Sequence, residues 1–163
     1  MPLIGVIADS HDNLGALARS VEYLNGQGVG LVLHAGDFVA PFVFKELGRL
    51  ACGLVGVWGN NDGDRILMKE QATQYGFFLH PAPYHLQWEG KDILLMHEPY
   101  ELDAFIQSQC YDLIVYGHLH KTHVQRVGRT LVLNPGECGG WLGKSCTLAI
   151  MDPEKGSAKI HQV

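Results

Sequence analysis

Carboxylates, imidazoles and an amide recur along this chain in short clusters, each directly after an apolar run. Asp9-Ser10-His11 sets a carboxylate and an imidazole two residues apart, where both can converge on one cation. Gly36-Asp37 adds a second carboxylate behind a glycine that lets the backbone turn sharply. Gly59-Asn60-Asn61-Asp62 supplies an amide oxygen, Met96-His97-Glu98 an imidazole, and Gly117-His118-Leu119-His120 two more on alternate residues. Each cluster alone has an ordinary explanation. Asp9 and His11 would cap a helix starting near Asn13, and His118 with His120 would form a polar surface pair. Five such clusters in one short chain favour a metal site instead.

Together Asp9, His11, Asp37, Asn60, His97, His118 and His120 are seven potential ligands of mixed oxygen and nitrogen type, with no cysteine among them. That is more than one tetrahedral zinc ion requires. Two divalent ions roughly 3.5 to 4 Å apart use such a set well, sharing a carboxylate and a water whose pKa they lower. Two such cations against Asp9 and Asp37 leave a charge of about +2, or about +1 with a bridging hydroxide, which suits a phosphate ester better than a neutral carbonyl. The chemistry expected is in-line attack of that hydroxide on phosphorus, with both metals stabilising the phosphoryl oxygens.

The elements that must position this set read as an alternation of strands and helices. Leu3–Ala8 reads as a strand, and Leu14, Leu17, Val21 and Leu24 mark an amphipathic helix. Leu31–Leu33 repeats the strand and Pro41–Leu50 the helix, with proline in its first turn; Leu54–Trp58 and Arg65–Tyr75 repeat the pair again. Beyond Tyr75, short runs at Phe77–His80, Tyr84–Trp88 and Ile93–Met96 predict strands, with a hairpin turn at Glu89-Gly90-Lys91-Asp92. A helix over Glu101–Gln109 precedes strands at Leu113–Tyr116, His123–Val127, Thr130–Leu133, Cys146–Met151 and Lys159–Gln162. This pattern is an α/β layered fold, parallel in its first half and mixed in its second. Asp9, Asp37, Asn60, His97 and His118 fall at carboxyl ends of strands, the edge where open α/β sheets bind ligands.

A length of 163 residues suits a single domain spanning 1–163, and 47% hydrophobic against 18% charged residues allow a substantial core. The net charge of −5 has the wrong sign for general nucleic-acid binding. No apolar run nears the ~20 residues of a membrane span, and Met1-Pro2-Leu3 lacks the basic start of a signal peptide, so a cytoplasmic protein with no membrane partner is expected. Cys52, Cys110, Cys138 and Cys146 are irregularly spaced and read as reduced thiols.

The series Asp-x-His, Gly-Asp, Gly-Asn-x-Asp, His and Gly-His-x-His resembles the calcineurin-like metallophosphoesterases over nearly the whole chain. The short length and Asn134-Pro135-Gly136-Glu137 resemble their small YfcE-like phosphodiesterase branch. The resemblance implies a four-layer αββα sandwich of two mixed β-sheets flanked by helices, with a dinuclear site on the strand-end loops. By motif, Asp9, His11, Asp37 and His120 would hold one metal, with Asp37 bridging; Asn60, His97 and His118 would complete the other. It also implies two divalent ions, manganese first with nickel, iron or zinc as alternatives, a phosphate-ester substrate, and a homo-oligomer such as a dimer or tetramer.

Two positions depart from the family pattern. Met96 stands where a glycine often precedes the histidine. The third residue of the Gly-Asn-x-Asp block is often a histidine thought to protonate the leaving group, and Asn61 cannot do so at neutral pH. Diesters with good leaving groups are therefore the expected substrates. Around the seven, His34 is placed either to orient a ligand carboxylate through its N–H or to sit as a satisfied core histidine, and Asp62 to act as an outer acceptor. Gly136, Gly139, Gly140 and Gly143 flank Trp141 in a loop that either offers N–H groups to phosphate or merely connects strands. His80, His85, His123 and His161 read as surface residues, and Phe38, Phe42 and Phe44 as core or subunit contacts. The rival function is a protein-binding scaffold that keeps the fold without the chemistry. Such drift loses ligands, and all seven are present.

Overall fold

The computed structural model describes residues 1–163. Its first half runs β1 (Ile4–Ile7), α1 (Leu14–Gln27), β2 (Leu31–His34), a 3₁₀ turn (Pro41–Val43), α2 (Phe44–Leu47), β3 (Gly53–Val57), α3 (Arg65–Gln74) and β4 (Phe78–His80). Its second half runs β5 (Tyr84–Trp88), β6 (Lys91–Leu95), α4 (Leu102–Ser108), β7 (Leu113–Val115), β8 (Thr122–Val127), β9 (Thr130–Pro135), β10 (Thr147–Asp152) and β11 (Ser157–Gln162). The strands form two sheets, β11-β10-β1-β2-β3-β4 and β5-β6-β7-β9-β8. In the first, β1 to β4 pair in parallel and β10 joins β1 antiparallel. In the second, β6, β7 and β9 are parallel between antiparallel edges. Both sheets are therefore mixed. The first half of the chain is parallel as expected, but its sheet is completed by the C-terminal hairpin, which periodicity does not reveal.

Three apolar layers hold the stack together. Between the sheets lie Ile4, Val6, Leu31, Leu33 and Val57 from one and Ile93, Leu95, Leu113, Val115, Leu131 and Leu133 from the other. The opposite face of the first sheet packs Ile7, Val32 and Leu54 against Leu17, Val21 and Leu24 of α1, Phe44 and Leu47 of α2, and Met68 and Ala72 of α3. The outer face of the second sheet packs Leu94, Ile114 and Val132 against Leu102, Phe105 and Ile106 of α4. The alternation of side chains across each strand makes these layers, since neighbouring residues point to opposite faces. The result is the four-layer αββα sandwich.

Local sequence explains the element ends. Asn13 starts α1 by accepting a hydrogen bond from the Ala16 N–H, and Gly28 ends it in the left-handed region at φ 64°. The helix expected over Pro41–Leu50 is reduced to the 3₁₀ turn and the single turn of α2. Gly48 follows α2 directly, and a Cβ there would lie 2.3 Å from the Tyr75 ring. Beyond it the chain continues only in tighter turns, with Arg49 N–H bonding the Glu46 carbonyl and Leu50 N–H the Leu47 carbonyl, while Tyr75 packs on the bare Gly48 backbone. No helix is long and apolar enough to cross a membrane.

Because the parallel strands of both sheets point the same residues outward at their carboxyl ends, β1, β2 and β3 deliver Asp9, Asp37 and Asn60, while β6 and β7 deliver His97 and His118. Hydrogen bonds tie these ends together: Asp9 N–H donates to the Gly36 carbonyl at 3.0 Å, His11 N–H to the Asp37 carbonyl at 3.1 Å, and Gly117 N–H to the His97 carbonyl at 3.0 Å. Leu95 is fully buried between the sheets beside this edge. Leu95→Ala should lower unfolding free energy by about 2–5 kcal/mol, through lost burial and a cavity, in urea titration monitored by circular dichroism.

Candidate metal centre

Five of the seven candidate ligands sit in left-handed backbone: Asp9 (φ 53°), His11 (φ 42°), Asp37 (φ 59°), His118 (φ 64°) and His120 (φ 53°). For a side chain with a Cβ this conformation costs on the order of 1–3 kcal/mol and clusters at functional sites. Here it turns each side chain inward directly after its strand. Space for the carboxylates comes from the motif glycines. A Cβ on Gly59 would lie 2.1 Å from Asp37 Oδ1, and one on Gly117 would lie 2.9 Å from Asp9 Oδ2.

The seven side chains are brought together. One group is Asp9, His11 and His120, and another is Asp9, Asp37 and His97, each offering ligand atoms within 4.8 Å of one another. Asp9 is fully buried and its Oδ2 accepts the His118 N–H at 3.0 Å. Its other oxygen, Oδ1, lies 3.8 Å from His11 Nε2 and 3.5 Å from His120 Nε2. Asp9 Oδ1 and His11 Nε2 are buried without a hydrogen-bond partner. Left so, groups of this kind cost about 1–3 kcal/mol each.

Around Asn60 the acceptors crowd further. His97 Nδ1 donates to the Ala35 carbonyl at 2.7 Å, which directs Nε2 at Asn60 Oδ1, 2.9 Å away, and at Asp37 Oδ1, 3.4 Å away. His118 Nδ1 approaches the same Asn60 oxygen at 3.0 Å. His118 can donate to that oxygen through Nδ1, but neutral His97, whose proton is already given to Ala35 through Nδ1, would turn a lone pair at Nε2 towards the Asn60 and Asp37 oxygens, a place that suits a proton or a cation. Burial lowers the His97 pKa, but Asp37 outweighs it and the net direction is upward. Asp9 first, then Asp37, also hold His11 above its ordinary value against burial. Burial pushes Asp37 up, yet bonds from His97 and Asn61 hold it well below the usual carboxylate range. The same carboxylates that favour protons on these imidazoles would favour divalent ions there, so protons and ions would compete.

The surrounding residues take up separate tasks. Asn61 donates through its backbone N–H to Asp37 Oδ1 at 2.9 Å and through its amide to Oδ2 at 2.8 Å, so it grips the central carboxylate. His34 does not reach a carboxylate. Its Nδ1 accepts the Gly36 N–H at 3.2 Å, and its Nε2 bonds the Ser10 hydroxyl at 3.1 Å, while its ring stacks on Phe38. It is a satisfied buried histidine that props the Asp9–His11 loop. Asp62 accepts the N–H groups of Val39 and Gly59, stitching two loops rather than touching a ligand; burial raises its pKa. Asn13 is the helix cap, so Asp9 and His11 are free of that role.

The glycine-rich loop does not offer its N–H groups to a phosphate. Those of Trp141, Leu142 and Gly143 donate to the Glu137 carboxylate. Glu137 lies beside His120; in the sequence it stands only as the last residue of the Asn134-Pro135-Gly136-Glu137 motif, with no role at the site assigned to it. Remaining histidines have partners elsewhere: His80 stacks on Tyr84, His85 faces Asp92, His123 bonds the Tyr116 hydroxyl and His161 the Tyr23 hydroxyl. Phe38 and Phe44 are core, and Phe42 is exposed.

Burial foremost pushes the His34 pKa down to about 3. The unfolded chain then binds a proton near pH 6.5 that the folded chain refuses, so stability falls as pH drops from there towards 3. Between pH 7.5 and pH 5 metal-free wild type should lose about 2 kcal/mol from this group, and His34→Gln should lose correspondingly less, as read by urea unfolding at both pH values.

Comparison with known proteins agrees with this geometry. Residues 3–156 match the model of the calcineurin-like phosphoesterase superfamily domain. A phosphodiesterase of Methanocaldococcus jannaschii is 35% identical over 156 residues, covering 93% of each chain. The solved structure of a novel archaeal phosphodiesterase superposes with a TM-score of 0.93 at 32% identity over 99% of both chains. The phosphoesterase Yfce of E. coli superposes with a TM-score of 0.71 at 19% identity, over 99% of this chain and 98% of that one, which speaks to fold alone. With its ligand series in order and its fold shared throughout, this chain belongs to the calcineurin-like phosphoesterase superfamily, a family of phosphoester hydrolases.

Proposed function

We propose that this protein is a divalent-metal-dependent phosphodiesterase with a dinuclear site. The observation that carries the reading is the position of Asp37, with Oδ2 3.4 Å from His11 Nε2 and Oδ1 3.4 Å from His97 Nε2. A carboxylate between two imidazoles is suited to serve two ions. Asp9, His11, Asp37 and His120 would hold one; Asn60, His97 and His118, with Asp37, would hold the other. Carboxylate, amide and imidazole donors suit manganese, and also nickel, iron or zinc. When bound, such ions supply a nucleophile from water at neutral pH and Lewis-acid stabilisation of the phosphoryl oxygens.

The residues themselves orient and hold. The Ala35 carbonyl fixes the His97 tautomer, the His118 N–H turns Asp9 so that Oδ1 faces His11 and His120, and Asn61 keeps Asp37 ionised and still. Asn61 is a neutral amide and gives no proton to a departing alkoxide. The leaving group must therefore be acidic, as in aryl or activated diesters, and the M. jannaschii relative is itself a phosphodiesterase. A scaffold role is not favoured, because seven ligand side chains and five strained backbone positions have no use without an ion. We read residues 1–163 as one catalytic domain, place it in the cytoplasm on its four free cysteines, and take exposed Phe42, Ile66 and Tyr75 as grounds for a homo-oligomer.

Elemental analysis should find two ions per chain in wild type, with turnover of bis-p-nitrophenyl phosphate lost on chelation and restored by manganese. Asp37→Ala should lose both ions and turnover together; retention of two ions in that variant would refute the bridging role. On wild type, kcat/KM should be higher for bis-p-nitrophenyl phosphate than for p-nitrophenyl phosphate, and the reverse order would rule out the diester preference.

A further inference from the structure

We propose that Glu137 is a positioning residue for His120 and, through the same carboxylate, for the loop that follows it. This rests on the reading of His120 as a metal ligand. Glu137 is 2% exposed. Its Oε1 accepts the N–H groups of Trp141 at 2.7 Å and Leu142 at 3.1 Å, and its Oε2 those of Leu142 at 3.0 Å and Gly143 at 2.8 Å. Three successive N–H groups wrapped on an anion form a nest, and here the anion is the protein's own.

The same Oε2 lies 3.4 Å from His120 Nδ1, just beyond hydrogen-bond distance, and that nitrogen is buried with no partner. The other ring nitrogen, Nε2, is the one that faces Asp9. An imidazole ligating through Nε2 carries its proton on Nδ1 and is oriented by whatever accepts that proton. Glu137 is the carboxylate in place to do so. The loop is fastened on its far side as well: Trp141 Nε1 donates to the His11 carbonyl at 3.0 Å, and Gly139 N–H to the Asp9 carbonyl at 2.9 Å. A small turn of His120 onto Oε2 therefore draws on the anchor that holds residues 141–143 against the Asp9, His11 and His120 group. Ion binding at His120 and the order of this loop are linked through one side chain, and linkage of this kind is reciprocal.

Mn²⁺ titration calorimetry of the metal-stripped protein tests this with wild type, Glu137→Gln, His120→Ala and the double variant. Glutamine keeps one acceptor oxygen for the loop but cannot accept at both sites; thermal unfolding without metal checks that each variant is folded. Glu137→Gln should weaken Mn²⁺ binding about ten- to hundred-fold in the wild-type background. In the His120→Ala background it should change affinity by no more than about twofold, because the interaction it would remove is already gone. Equal weakening in both backgrounds, or none in wild type, would overturn the role of Glu137 while leaving the metal site intact. Unchanged affinity in His120→Ala would overturn the ligand reading of His120 and this inference with it.

Discussion

A buried carboxylate whose two oxygens face different imidazoles has to be kept charged and kept still, and much of this structure is arranged around that demand on Asp37. It is 1% exposed, so burial alone would neutralise it. The closeness of His97 and two hydrogen bonds from Asn61 reverse that tendency. Gly59 leaves room for Oδ1 where any Cβ would collide. Asp62 in turn holds the Gly59 and Val39 backbones, so the two loops that frame Asp37 cannot drift apart. Remove the charge and the Asn61 donors lose the acceptor they are aimed at.

The sandwich makes this arrangement possible by aligning the carboxyl ends of two sheets. Neither sheet alone presents the whole candidate set, since Asp9, His11, Asp37 and Asn60 come from one and His97, His118 and His120 from the other. The inter-sheet core of branched aliphatic side chains sets the spacing, and contacts such as His118 N–H to Asp9 Oδ2 set the register across it. Left-handed backbone at five of the candidate ligand positions is the local cost, compensated by bonds between strand-end loops that recur along the whole edge.

Departures from the family pattern acquire physical reasons in the same frame. Met96 replaces a glycine without harm because it lies buried among Leu94, Ile114, Tyr116 and Val132, on the α4 side of the second sheet. Asn61 stands where a proton donor is common and instead spends both its donors on Asp37. The glycine-rich loop resembles a phosphate cradle in composition, yet Glu137 already occupies it. Composition alone does not distinguish a cradle that is open from one that is filled.

The strand–helix alternation and the seven clustered donors are legible in the sequence, because hydrophobic period and motif spacing are local properties of neighbouring residues; the αββα sandwich was implied only through the family resemblance those motifs carry. Tertiary structure decided what lies between distant residues. It sent the C-terminal hairpin back to β1, packed Tyr75 on the Gly48 backbone, turned His34 to Ser10 rather than to a carboxylate, and set Glu137 beside His120. These pairings join residues far apart in the chain, and which buried donor meets which acceptor depends on how two sheets pack, a constraint that no short window of sequence contains.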